Sequence, residues 1–179
     1  GSLIPSLIYT LESYFNVFLK KYAWVKYFIC PSKFLQRKFI EAGVSFEKLI
    51  YVPNSIKLED FQPNFTHGNY ILYAGKLTPE KGILTLLKAV KGLDLLVRIV
   101  GDGPMRAEYD AFVKDNKISN IVFEGYRSGG ELRELFRNAA FLVFPSECYE
   151  NAPMTILEAF AYGKPVIASN IIGEIHELL

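Results

Sequence analysis

The chain has 179 residues, half of them hydrophobic, with 14 Phe, 11 Tyr and a formal net charge of +1. Such a composition supports a packed core and excludes a disordered chain. Charge is mixed along the sequence with no basic run, which excludes a nucleic-acid-binding surface. Cys30 and Cys148 are far apart and lack metal-ligand spacing, so both are read as reduced thiols of a cytoplasmic protein. No signal peptide is recognised, and no apolar run approaches the roughly 18 residues of a membrane span.

In chain order, apolar residues Ile4, Leu7, Ile8, Leu11, Phe15, Phe18, Leu19 and Tyr22 recur at helical spacing. A short helix is expected over Phe34–Ala42, opened by Pro31-Ser32 and closed by Gly43, between extended runs Val25–Cys30 and Lys48–Val52. Pro53-Asn54 ends this first region. From Asn69 onward, strands alternate with helices. The strands are Tyr70–Gly75, Leu95–Val100, Ile121–Gly125, Phe141–Phe144 and Val166–Ser169. The helices are Ile83–Val90, Met105–Asp115, Glu131–Asn138, Met154–Tyr162 and one from Glu174. Repeated β-α units imply an α/β fold, a Rossmann-like parallel sheet with helices on both faces. Ligands on such sheets bind beyond the carboxyl ends of the strands, where the chemistry-bearing motifs fall.

The turn after the first of these strands, Gly75 to Gly82, carries Lys76 at the strand end and Lys81 at the helix start. A cation at a helix N-terminus opposes the helix dipole, so a bound anion is expected to resolve the conflict. Further on, Pro153 suits the first helical position, making Ala152 an N-cap without a capping group. The free N–H groups of Met154 and Thr155 then form an anion site. Glu158, the lone charge in Met154–Tyr162, leans back toward that helix start and can accept hydrogen bonds from a ribose diol. Gly101-Asp102-Gly103-Pro104 lacks the third glycine of the dinucleotide fingerprint and reads as a tight turn. His67 and His176 are isolated, and no Asp-x-Asp motif is present, so no metal site is expected.

These motifs resemble, in order, those of the family-4 retaining glycosyltransferases, whose GT-B fold joins two Rossmann-like domains around a cleft. Val52-Pro53-Asn54-Ser55-Ile56 with Phe61 is similar to the family's interdomain linker. Tyr73-Ala74-Gly75-Lys76-Leu77, then Glu80-Lys81-Gly82, resembles its phosphate-binding turn. Ile99 to Pro104 and Phe123-x-Gly125 also fit. The most specific match is Phe144-Pro145-Ser146, then Glu150 and Glu158 with seven residues between them, then the run from Glu158 to Ala168.

The resemblance implies that Lys76 and Lys81 hold a donor diphosphate at Gly75, that Glu158 binds the ribose and that Glu150 meets the transferred sugar. It implies that Asn151, Ala152, Met154 and Thr155 offer backbone N–H groups, and that Tyr126-Arg127 lies near the base. Lys76, Lys81 and Glu150 would be the catalytic groups. Lys76 departs from a frequent Arg, Asn151-Ala152 from a glycine-containing loop, Glu174 from a second glycine after Gly173, and Lys57 from a usual Asp.

Residues 1–57 are thus expected to be a mainly helical remnant of the N-terminal acceptor domain plus linker, and 58–179 a truncated C-terminal nucleotide-sugar-binding domain. The expected reaction is retaining transfer of a hexose, mannose by similarity to mannosyltransferases, from a GDP- or UDP-linked donor to a glycan or lipid-linked acceptor. No cofactor is expected, and the fragment is expected to be inactive alone. A dinucleotide-dependent oxidoreductase and a noncatalytic nucleotide-binding module are the alternatives. The apolar stripe of the first helix is expected to pack on a second copy or fold back on the donor domain. The competing reading is peripheral contact with the cytoplasmic face of a membrane, suggested by Lys20, Lys21 and Trp24 after the stripe.

Overall fold

A computed structural model describes residues 3–18 and 21–170, with side chains described for 7–15 and 23–170. The expected helix from Glu174 and the stripe side chains Ile4, Phe18, Leu19 and Tyr22 lie outside the described residues. The chain divides into two compact units, residues 1–52 and 53–179.

In the first unit, α1 spans Leu3–Phe18 and a 3-10 turn spans Lys21–Trp24. Two three-residue strands, β1 (Phe28–Cys30) and β2 (Leu49–Tyr51), pair in parallel with Phe28 opposite Leu49. Helix α2 (Lys33–Glu41) joins them, and the Ser32 hydroxyl caps it by accepting from the Leu35 N–H at 2.9 Å. Both strands are shorter than the extended runs expected, because the ladder lasts only three pairs. Within the first unit, Leu7, Ile8, Leu11 and Phe15 are between 58% and 61% exposed.

The second unit holds a five-stranded, all-parallel sheet. Its strands are β3 (Tyr70–Ala74), β4 (Leu96–Val100), β5 (Ile121–Gly125), β6 (Phe141–Phe144) and β7 (Val166–Ala168). Their spatial order is β5-β4-β3-β6-β7. Each connection that carries the chain to the next strand contains a helix: α3 (Ile83–Val90), α4 (Arg106–Asp115), α5 (Gly129–Arg137) and α6 (Met154–Ala161). Alternation along β3 explains the two layers. Ile71 and Tyr73 pack with Leu86, Leu87 and Tyr109 of α3 and α4. Tyr70, Leu72 and Ala74 pack with Leu135, Phe136, Ala159 and Tyr162 on the side of α5 and α6. Each fully buried aliphatic chain in these layers is worth about 1.5–3 kcal/mol. The expected α/β fold with helices on both faces is therefore what the chain forms.

The order of the strands locates the functional end. From β3 the chain moves outward through β4 and β5, then returns to place β6 on the other side of β3. The loops leaving β3 and β6 consequently diverge, and a crevice opens between them at the carboxyl ends.

Candidate functional site

Short backbone bonds lock the strand-end loops together. Gly75 N donates to Val100 O at 3.0 Å, Leu77 N to Asp102 O at 3.0 Å, and Gly101 N to Gly125 O at 2.8 Å. After β3, Pro79–Lys81 form a 3-10 turn and Gly82, at φ +68°, becomes the N-cap of α3. A Cβ on Gly82 would sit 1.9 Å from Pro145 O, so the loop after β3 lies backbone to backbone against the loop after β6. Glu147 N, donating to Glu80 O at 2.8 Å, closes the same junction.

Two clefts open above this junction. One, of about 440 Å3, is lined by Gly75, Lys76, Lys81, Ser146, Glu150 and Thr155 among others. The other, of about 400 Å3, includes Gly75, Lys76, Tyr126, Arg127, Thr155 and Glu158. Gly75, Lys76 and Thr155 belong to both, so the two clefts meet there. Of the residues singled out from the sequence, Asn151, Ala152 and Met154 line neither cleft.

The start of α6 differs from the expectation. Pro153, not Ala152, is the N-cap, with extended backbone (φ −66°, ψ 113°), and Met154 is the first helical residue. The physical reason is Ala152 itself, which takes the left-handed conformation at φ 55° and turns the chain before the proline. Its carbonyl accepts from Asn54 Nδ2 at 2.9 Å. No side chain caps the helix, as expected, so its first N–H groups remain available for a ligand.

The charges are distributed unevenly. Lys81 Nζ lies 2.6 Å from Glu150 Oε1, and the two side chains are 26% and 13% exposed. The expected conflict between Lys81 and the α3 dipole is thus met by a carboxylate of the protein. The Lys76 ammonium has no hydrogen bond or ion pair among the described residues, and its carbonyl accepts from Tyr73 Oη at 2.9 Å. The Glu158 carboxylate likewise has no hydrogen-bond or ion-pair partner among the described residues, and burial raises its pKa above the ordinary 4.5. Arg127 sits 3.8 Å from both Glu124 and Glu131, which offset its charge, while Tyr126 is exposed.

Sequence reasoning named no role for three residues found here. Ser146 is buried and its hydroxyl donates to Glu150 Oε1. Glu80 lines the first cleft, its carboxyl held below the usual range by its own backbone N–H and the Thr78 hydroxyl, then by Lys81 and Lys76. Asp102 lines the second cleft and accepts from Gly103 N at 2.7 Å. The Pro145-Ser146 pair after an apolar strand was the available signal for Ser146. The acids carried none beyond their place in strand-end turns.

The sequence profile of the family described as Glycosyl transferases group 1 matches residues 55–179. The chain is 33% identical over 149 residues to an uncharacterised glycosyltransferase of Methanocaldococcus jannaschii, covering 82% of this chain and 41% of that protein. It is 31% identical over 165 residues to the lipopolysaccharide 1,2-N-acetylglucosaminetransferase of Salmonella typhimurium, covering 79% and 43%. The chain therefore spans less than half the length of these curated relatives. Its fold matches that of the Anabaena protein HepE, solved in complex with UDP and glucose, with a TM-score of 0.77 at 21% identity over 86% of this chain and 47% of that one. The match to the family profile covers both clefts and every strand of the five-stranded sheet, and on it the chain belongs to the glycosyl transferases group 1 family.

Proposed function

We propose that the two clefts hold a nucleotide-diphosphate hexose and that the protein transfers the hexose to an acceptor hydroxyl with retention of configuration. One observation carries this reading most strongly. At the switch point of the sheet, an unpaired Lys76 and an uncapped helix start stand beside an unpartnered, half-buried Glu158. In this reading the diphosphate lies over Gly75 and Lys76, at the wall common to both clefts. The ribose meets Glu158 and the base lies toward Tyr126 and Arg127. The hexose occupies the other cleft, beside Glu150 and Lys81, with Asn151, Ala152 and Met154 contributing through the loop and helix backbone.

As the bond from the anomeric carbon to the phosphate oxygen breaks, negative charge grows on the departing diphosphate. Lys76, Lys81 and the N–H groups of α6 stabilise it, and the acceptor oxygen forms the new bond as it loses its proton. These charges supply the stabilisation without a cofactor in this proposal. The acceptor is taken to be a glycan or lipid-linked glycan, engaged on the acceptor half of a two-domain enzyme. The cytoplasm, with peripheral attachment to the inner membrane face, is the proposed location, and self-association through the N-terminal segment is proposed with it.

Mannose from a GDP donor follows from the motifs' likeness to mannosyltransferases. UDP linked to another hexose is the second reading, favoured by the fold neighbour solved with UDP and glucose and by the relative that transfers N-acetylglucosamine. Calorimetric titration with GDP, UDP and NAD decides between them. Saturable binding of one nucleoside diphosphate is expected, weakened by about 1.5–3 kcal/mol in Lys81→Ala, the range of a charged hydrogen bond. Binding of NAD in preference to both diphosphates would overturn the donor assignment.

A further inference from the structure

The Glu150 carboxylate is held in a lopsided way. Lys81 Nζ at 2.6 Å, the Ser146 hydroxyl and, more distantly, Cys148 Sγ at 3.8 Å all engage Oε1. Oε2 has no partner among the described residues, although Glu150 lines the first cleft and its side chain is 13% exposed. Arg98 Nε is the only buried, unpartnered side-chain polar atom among the described residues, so Oε2 reaches the solvent of the cleft, where a ligand hydroxyl can replace the water it accepts from.

Lys81 alone does not decide which oxygen is free. An ammonium on a four-carbon stem is a mobile point charge that can follow either oxygen as the carboxylate turns. Ser146 is different. It is buried at the end of β6, and its backbone carbonyl accepts from the Ser169 hydroxyl. Its flanking residue Pro145 is packed against Gly82, and the Glu147 N–H is bonded to Glu80 O. The Ser146 hydroxyl has one proton and three groups in reach that can accept it: Glu150 Oε1, the Glu80 carbonyl at 3.4 Å and Cys148 Sγ at 3.5 Å. The closest, charged acceptor takes it.

We propose that Ser146 is a positioning residue of the donor-sugar subsite, fixing Glu150 Oε1 beside Lys81 so that Glu150 Oε2 is a preset acceptor for a hydroxyl of the bound hexose. The inference rests on the donor reading above and adds the device that orients its sugar-contacting carboxylate. Because the Lys81–Glu150 pair survives when the Ser146 hydroxyl is removed, the loss falls on the sugar rather than on the diphosphate.

The test is a calorimetric double-mutant cycle on the full chain, using the matched pairs GDP-mannose with GDP and UDP-glucose with UDP. The quantity read is the ratio of affinities, sugar-linked over sugar-free. Ser146→Ala is expected to lower this ratio roughly tenfold, the size of one hydrogen bond to a charged group, with bare diphosphate affinity unchanged. In a Glu150→Gln background, Ser146→Ala is expected to add nothing, because the carboxylate it orients is gone. Ser146→Thr, which keeps the hydroxyl, restores the ratio. Equal losses for the bare and sugar-linked ligands, or a tenfold loss that persists with Glu150→Gln, would overturn the proposal while leaving donor binding intact. A wild-type chain that binds none of the four ligands overturns the donor reading itself.

Discussion

At the scale of single residues, Glu158 carries a conflict that a ligand can remove. Burial raises its pKa above the ordinary 4.5, so between those two values the folded chain holds more protons than the unfolded one. Stability from this group therefore falls as pH rises through that window, and the penalty is complete above it. Glu158→Gln, which cannot ionise, is expected to melt higher than the wild type at neutral pH, with the gap closing below the ordinary glutamate pKa. Ribose hydroxyls donate preferentially to the charged form, so nucleotide affinity should rise with pH across the same window in the wild type. It should stay flat in Glu158→Gln, while inorganic pyrophosphate binds both alike. Thermal melts and titrations at several pH values check this, and an equal loss of nucleotide and pyrophosphate binding would make Glu158 a structural residue. That Glu158 finds no ion-pair partner along its own helix was legible from the sequence, because it is the lone charge in an apolar helix. The partner of Lys81 was not. Lys81 and Glu150 are 69 positions apart, and they meet only because Gly82 lets the two loops touch.

The same division holds for whole elements. Strand–helix alternation follows from apolar runs and glycine punctuation, and every strand of the five-stranded sheet lies within a residue of its expected ends. Helix ends were read less well. Helix α5 starts at Gly129, not Glu131, and α6 is capped by Pro153 because Ala152 adopts φ 55°. Local propensity assigns alanine no such conformation, and tertiary contacts impose it. Ala152 is buried, and Asn54, nearly a hundred positions earlier, holds its carbonyl. A left-handed alanine costs about 1–2 kcal/mol relative to a residue without a Cβ. Ala152→Gly removes that strain but gives the unfolded chain more freedom, which returns about 0.4–1 kcal/mol. A net gain of up to about 1.6 kcal/mol in denaturant unfolding is expected. A variant that unfolds more easily than the wild type would mean that the methyl group's packing outweighs the backbone strain.

For the whole molecule, the open question is what covers α1. Leu7, Ile8, Leu11, Tyr14 and Phe15 are all more than half exposed, and Trp24 beyond them is 91% exposed. Apolar patches of more than a few hundred Å2 rarely stay uncovered on a monomer. No helix among the described residues is long and apolar enough to cross a membrane. A second copy of the chain is the expected cover. The size of the helix sets how firmly it should hold. Sixteen residues make a helix about 24 Å long. Pairing along one face of such a helix buries well below the roughly 800 Å2 per partner of a standard stable interface. The association should therefore be weak and depend on concentration. Sedimentation equilibrium is expected to show the average mass rising from monomer toward dimer as the chain is concentrated, and Phe15→Glu should hold it at monomer without changing its melting temperature. A surface helix that instead seeks lipid predicts a different pattern. The chain would stay monomeric at every concentration, and anionic vesicles would bind the wild type but not Phe15→Glu. Lys20 and Lys21, following the stripe in sequence, would supply the electrostatic part of that attraction, and added salt would weaken it. A wild-type mass that stays at monomer throughout the concentration range would rule out the self-association reading.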